Sequence, residues 1–273
     1  MNKENFETLL SFIMDNIYFS YSSLTTFENC KYCYRLSYID KKEPKENNFF
    51  GEYGLLVHDT IEQYFNGTLE SYELSDYFTR KYKEVMLTPP PPFPAGMEEK
   101  YIVQGVEFFN TFYFEKEKYR ILEVESELDF EISGITMKGR PDLILYDINK
   151  KENILLDYKT AFPFWNDKRT KKEKVDKKKI DGYFTQMYLY CYGIKQCKNL
   201  QIDKIILWFP RAKREIERYW EEEEQNNAIH WAKNIIENIK NEKEFRFNNS
   251  NTYFCNFLCG VRNYCEYTPT MNY

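Results

Sequence analysis

The residues that could do chemistry stand in two short stretches. "GRPDLILYD", residues 139–147, carries Asp142 behind Pro141. "NILLDYKTA", residues 153–161, runs an apolar strand into Asp157, Tyr158 and Lys159. A short hairpin at "INKKEN" would set the two carboxylates side by side at one strand end. Convergent carboxylates suit a hard cation such as Mg²⁺ or Mn²⁺, bound through oxygen. Such an ion polarises a phosphoryl oxygen and generates hydroxide from bound water. Side chains two residues apart share a face of a strand, so Lys159 would stand beside Asp157. From there an ammonium group orients an attacking water or stabilises charge building on a phosphate. A lone D-x-K at a strand end is more commonly a surface ion pair. Its company tilts the reading: Glu125 lies upstream in "EVESELDF", Gln186 and Tyr190 follow in "QMYLY", and His58 sits in "GLLVH". Alone, His58 would read as a half-buried helix histidine. His230, in "NAIHWAKNII", has no such neighbours and reads as structural.

The elements that must position these residues follow from periodicity and punctuation. A serine-rich cap opens a helix at about Ser23. Residues 54–67 form a second helix, with Leu55, His58, Ile61 and Glu62 at helical spacing and Gly67 as its C-cap. Residues 70–87 form a third, stopped by "TPPPPFPAG", where consecutive prolines enforce an extended connection. Helix returns over 97–117. Three strands follow in "YRILEVESELDFEI", "ITMKGRPDLILYDI" and "NILLDYKTA". Residues 167–179 read as a mobile loop and 183–195 as a helix. The strand 204–210 pairs with 214–220 across "RAK", and 221–244 is a long helix. The order implies an α/β fold with a mixed sheet, a helical N-terminal region and a Cys-rich C-terminal tail.

Composition sets bounds on the rest. A length of 273 residues suits one large domain. The mean hydropathy of −0.69 and the lack of any apolar run near ~18–20 residues exclude a spanning helix. The start carries acidic residues and no small-residue cleavage site, so the expected location is cytoplasmic. Aromatic residues reach 18%, a richness that fits an AT-rich genome together with the many Lys, Asn and Ile. The net charge of −5 argues against a general nucleic-acid binder. Locally, however, residues 168–179, "KRTKKEKVDKKK", hold eight Lys and Arg against two acids, enough to guide a polyanion. There is no G-x-x-x-x-G-K-[ST] nucleotide loop, so any motor acting with this chain is another chain.

Seven cysteines and no secretion signal point to free thiols or a metal site rather than a disulfide framework. The tail reads Cys255-x3-Cys259-x5-Cys265, and Cys30 and Cys33 stand more than 200 residues earlier. Four thiolates suit either an iron–sulfur cluster or a tetrahedral Zn²⁺, and spacing does not separate the two. Cys191 and Cys197 read as ordinary thiols.

Read together, "GRPDLIL", "LLDYKTA" and "QMYLY" resemble the core of the PD-(D/E)XK nucleases, and within them the RecB-type and CRISPR-adaptation branch. Gly54 and His58 match that branch's G-x-x-x-H, Gly139 and Asp142 its G-x-x-D, Asp157 and Lys159 its D/E-x-K, and Gln186 and Tyr190 its Q-x-x-x-Y. All four stand in the family's order. The resemblance implies a restriction-endonuclease-like sheet in one nuclease domain spanning 1–273. Its parts would be a helical region over 1–118, a core over 119–244 and a Cys-rich tail over 245–273 closing onto the N-terminal helix. It implies that His58, Asp142, Asp157 and the Tyr158 carbonyl hold the cation. Lys159 would be the catalytic lysine, and Gln186 and Tyr190 would position it or the substrate strand. Glu125 would be a supporting or second-metal carboxylate. It also implies a structural 4Fe-4S cluster on Cys30, Cys255, Cys259 and Cys265, with Cys33 as a possible substitute. The family's usual tail is C-x2-C-x5-C, and this chain has one more residue between the first two.

The expected substrate is DNA, taken at ends or as single strands without base-specific readout. Lys168, Arg169, Lys171 and Lys172 would contact phosphates. Among Tyr158, Phe162, Phe164 and Trp165, Trp165 is the expected stacking contact, whereas Phe162 reads as packing. Two hypotheses stand: a metal-dependent deoxyribonuclease of recombination, repair or spacer acquisition, and a non-catalytic DNA-end-binding subunit of a helicase–nuclease or adaptation complex. The presence of both carboxylates, the lysine and His58 favours the first.

Overall fold

The computed structural model describes residues 18–44, 48–166, 172–248 and 252–267. The chain divides into two compact units. One comprises Phe49–Leu128 with Arg140–Ala228, and the other draws on Met1–Asn48, Asp129–Gly139 and Ile229–Tyr273.

The first unit is built on a five-stranded mixed sheet. Its order is Arg214–Tyr219, Lys204–Phe209, Glu152–Tyr158, Leu143–Asp147, Tyr119–Val124. Lys204–Phe209 runs parallel to Glu152–Tyr158, because the helix Lys177–Lys198 carries the chain back between them. The other pairings are antiparallel. The central strands are apolar on both faces, as a covered sheet requires: Leu143, Ile144, Leu145, Ile154, Leu155 and Ile205 are all buried. Leu143, Leu145, Ile154 and Leu156 pack into one core with Tyr53, Val57, Phe78 and Phe109 from the helices Phe49–Phe65, Leu74–Val85 and Met97–Asn110. Two of those helices meet at Gly105, where a Cβ would lie 2.4 Å from the Phe78 ring.

Several expectations change in detail. The helix placed at 54–67 starts at Phe49, since Phe49 and Tyr53 extend its buried stripe. It ends at Phe65, two residues short of the expected bound, and the expected cap Gly67, at φ 72°, donates to the Tyr64 carbonyl and Thr68 to that of Gln63. The helix placed at 97–117 stops at Asn110. The two long strands before Asp157 are each split. Glu125 takes a left-handed φ of 48° after Val124, and Pro141, which has no N–H to give a ladder, interrupts the second after Gly139. The mobile loop expected over 167–179 is corrected in its described part. Glu173–Val175 pairs with Phe164–Asn166, and a helix begins at Lys177, capped by the Asp176 side chain on the Lys179 N–H at 3.0 Å.

The second unit holds a small sheet in the order Phe19–Ser20, Ile135–Gly139, Leu128–Ile132. Ser133 and Gly134, both at positive φ, make the two-residue turn of its hairpin. Ser20 caps the helix Tyr21–Asn29 through a reciprocal pair with Ser23. That helix starts two residues before the expected Ser23 and gives way at Cys30 to Lys31–Tyr34 and a π-turn over Arg35–Ile39. Among the described residues no helix is long and apolar enough to cross a membrane.

Candidate active site

Strand register places the carboxylates. Leu143 pairs with Leu156, so Asp142 and Asp157 stand as the next opposed pair at the sheet end. Both are buried, and the Asp142 Oδ2 accepts the Tyr158 N–H at 2.6 Å. The helix Phe49–Phe65 passes close by. A Cβ on Gly54 would come within 3.5 Å of the Thr160 hydroxyl, and one turn later His58 points at the carboxylates. Its Nδ1 lies 3.2 Å from Asp142 Oδ1 and 3.7 Å from Glu125 Oε1. Its Nε2 is 3.1 Å from the Tyr158 carbonyl. Ligand atoms of His58, Glu125 and Asp142 all fall within 4.8 Å of one another. One imidazole and two carboxylates form a donor set suited to a divalent ion. Glu125 reaches the set because its bent backbone ends the 119–124 strand, its N–H donates to the Asp142 carbonyl at 2.8 Å, and Arg140 holds its Oε2 at 2.9 Å.

Lys159 is held from two sides. Its Nζ lies 2.6 Å from Asp157 Oδ2 and donates to Gln186 Oε1 at 2.9 Å. Gln186 in turn donates from Nε2 to the Tyr190 hydroxyl at 2.9 Å. The i, i+4 spacing of Gln186 and Tyr190 on one helix face makes that relay. The Tyr183 ring sits 5.0 Å from the ammonium.

Protonation follows from these neighbours. Burial alone would lower the His58 pKa, but the charge and hydrogen bond of Asp142 outweigh it and raise the value to about 10. Burial, then the Asp142 charge, push Asp157 up, while Lys159 draws it down. For Lys159, burial disfavours the ammonium, but Asp157 and Asp142 more than restore it. The lysine is thus a fixed cation.

Residues 18–267 match the sequence profile of the PD-(D/E)XK nuclease superfamily. The chain belongs to that superfamily. Its members use divalent metals, which agrees with the His58–Glu125–Asp142 group. A candidate exonuclease from Eubacterium rectale, known from its crystal structure, superposes with a TM-score of 0.51 at 15% identity, over 88% of this chain and 86% of its own. At that identity the likeness shows the fold. The crystal structure of SSO0001 aligns over 96% of each chain at 16% identity, with a TM-score of 0.34 that is too low to bear on the fold. No protein of curated function matches the sequence.

Within this superfamily frame, the four motifs meet at one sheet end. Asp157 faces Lys159, whereas Glu125 joins the tight group with His58 and Asp142. Of the expected DNA contacts, Lys168, Arg169 and Lys171 lie outside the described residues. Lys172 is exposed and Trp165 half exposed. Tyr158 and Phe164 are buried, so neither ring is open to a base. Phe162, expected to pack, is 42% exposed. Tyr183 and Arg211 escaped the sequence reading: Tyr183 opens the helix reading with no motif attached, and Arg211 sat inside a turn.

The cysteines gather in the second unit. Cys30, Cys33, Cys255 and Cys259 are buried, and Cys265 packs against them. The Cys33 and Cys259 sulfurs are 3.5 Å apart, and Cys33 N–H donates to the Cys30 sulfur at 3.4 Å. The hydrogen bond from Cys33, with help from the Val261 N–H, draws Cys259 toward thiolate. Cys255 is pushed up by burial and by its neighbours Cys30, Cys259 and Cys265. Among the described residues no three of these sulfurs lie within 4.8 Å of one another. Cys191 is buried and Cys197 exposed, both apart from the cluster.

Proposed function

We propose that this chain is a metal-dependent deoxyribonuclease that hydrolyses DNA at ends or in single strands, in the manner of an exonuclease. The observation that carries the reading is Lys159 held between Asp157 and the Gln186–Tyr190 relay, beside the His58–Glu125–Asp142 group. A buried lysine fixed as a cation stabilises negative charge developing on a phosphate, and a fixed orientation lets it do so without reorganisation. His58, Asp142, Asp157 and the Tyr158 carbonyl would hold Mg²⁺ or Mn²⁺, with Glu125 as a further carboxylate. The ion would supply an activated water and charge neutralisation. Gln186 and Tyr190 would keep Lys159 aimed. Lys168, Arg169, Lys171, Lys172 and Trp165 would contact the strand.

We place the chain in the RecB-type and CRISPR-adaptation branch, as a single domain over 1–273 acting in recombination, repair or spacer acquisition, in the cytoplasm and alongside a helicase or recombination partner. Its Cys30, Cys255, Cys259 and Cys265 would hold a 4Fe-4S cluster. Four thiolates would suit a tetrahedral Zn²⁺ as well, and it is the family resemblance that favours the cluster.

The test is cleavage of labelled single- and double-stranded DNA with Mn²⁺ or Mg²⁺. Wild type should cut and Lys159→Ala should lose at least roughly 100-fold in rate. Equal cutting by Lys159→Ala would overturn the site. DNA binding without cleavage by wild type would instead identify a DNA-end-binding subunit.

A further inference from the structure

Arg211 lies in the turn Pro210–Ala212, at the end of the strand Lys204–Phe209. It is only 8% exposed. Its guanidinium stacks on the Tyr101 ring with Cζ 3.4 Å from the centroid. Nε donates to Gln104 Oε1 at 2.9 Å, and Nη1 donates to the Thr160 carbonyl at 3.1 Å. Among the described residues no carboxylate pairs with it. Burying a cation without an anion is costly, since neutral acceptors and a ring face replace only part of its hydration. Such a charge is kept where an anion arrives later.

The place where it is kept is informative. Thr160 directly follows Lys159. Two residues on, the Phe162 ring is 42% exposed, with Arg211 Cζ 5.9 Å and Lys100 Nζ 5.8 Å from its centroid. Lys100 is exposed and, among the described residues, forms no ion pair. An open aromatic ring flanked by two unneutralised cations matches the repeating chemistry of a single strand, a π-face and a phosphate per residue. A paired base cannot use the ring, because its faces are covered by its neighbours in the stack.

We propose that Phe162, Lys100 and Arg211 form a subsite for one unpaired nucleotide of the substrate strand, with the base on Phe162 and the adjoining phosphates on the two cations. This deepens the nuclease reading and rests on it. It makes single-stranded DNA the form that enters the site. Arg211 also positions the segment carrying Lys159, through the Thr160 carbonyl.

The experiment measures binding of a short labelled strand to the full chain without added divalent metal, against salt, for wild type, Phe162→Ala, Lys100→Ala and Arg211→Lys. The same strand with abasic residues and a blunt duplex serve as further ligands, and Mn²⁺-dependent cleavage is read in parallel. Phe162→Ala should weaken binding of the intact strand roughly tenfold and leave the abasic strand and the duplex unchanged. Lys100→Ala should weaken intact and abasic strands alike and lower the slope of log affinity against log salt by about 0.7. Arg211→Lys keeps the charge and hence the salt slope, but by losing the bidentate fork it should weaken intact and abasic strands alike. Because Phe162 and Lys100 are exposed, their variants test the subsite even if Arg211→Lys unfolds, which its melting temperature reports. Cleaving wild type with unchanged binding by Phe162→Ala and Lys100→Ala refutes the subsite and leaves the nuclease. Wild type that neither binds nor cuts DNA refutes both.

Discussion

The two units concentrate chemistry in opposite ways. In the unit of the five-stranded sheet, hard oxygen and nitrogen donors meet, and three cations beside the site carboxylates are paired: His58 with Asp142, Lys159 with Asp157, Arg140 with Glu125. In the other unit, the sulfurs of Cys30, Cys33, Cys259 and Cys265 gather among apolar and aromatic side chains with Cys255 as a neighbour, and Cys33 lies close to Cys259. The first arrangement is an electrostatic network tied together by hydrogen bonds. The second is a set of mostly buried thiols, of which Cys259 is drawn toward thiolate by the Cys33 hydrogen bond. An oxygen-donor site of this kind can exchange its ion, whereas a thiolate site derives its order from what it holds.

The largest effect is expected at the carboxylates. Asp142→Asn removes a donor of the metal group and the partner of His58, and cleavage should fall by at least about 100-fold. Folding should suffer less than activity. If activity survives, the network is structural. Cys259→Ser tests the opposite expectation. It should abolish the broad visible absorbance of an anaerobic preparation and lower the melting temperature by several degrees, about 2–4 °C per kcal/mol for a domain of this size. A colourless wild type with stoichiometric zinc would overturn the cluster.

Proton release sharpens the same contrast. His58 is raised from 6.5 to about 10 by Asp142 despite its burial. In the metal-free protein its stabilising pair is therefore complete below about 6.5 and fades as pH climbs through about 10. A cation needs the neutral ring, so Mn²⁺ binding near pH 8 should release close to one proton. Calorimetry in buffers of different ionisation enthalpy would show this, and His58→Gln should remove it.

Packing gives a smaller effect. Gly105→Ala should cost about 1–3 kcal/mol in urea unfolding, because its Cβ would press on the buried Phe78 ring. The smallest change is expected at Glu242. Burial would raise this carboxyl, but Lys31 and the backbone N–H groups of Glu244 and Phe245 lower it to about 2. Its contribution is present above about 4.5 and disappears as pH falls toward 2, so Glu242→Gln should flatten stability only within that window. The effect should stay under about 1 kcal/mol, since Lys31 is half exposed.

Much of the site was legible because it is local. Asp157 and Lys159 share a strand face, Gln186 and Tyr190 share a helix face, and a four-residue turn over 148–151 sets Asp142 against Asp157. Glu125 was legible only as a neighbour. Its left-handed backbone, which turns the carboxylate toward His58, leaves no trace in residue type. The splitting of the long strands was hidden for a similar reason. Alternation continues through "LEVESELDF" although the two halves pair in different sheets.

The residues by themselves thus pointed to a candidate hard-cation site and to a set of thiols, because ligand type and short-range period are written in the chain. Tertiary structure alone decided which carboxylate closes the group on His58, which of five sulfurs touch, and that a buried Arg211 faces Phe162 beside Lys159. Those choices depend on strand register, backbone bends and contacts between residues as many as 226 positions apart, and no local pattern encodes them.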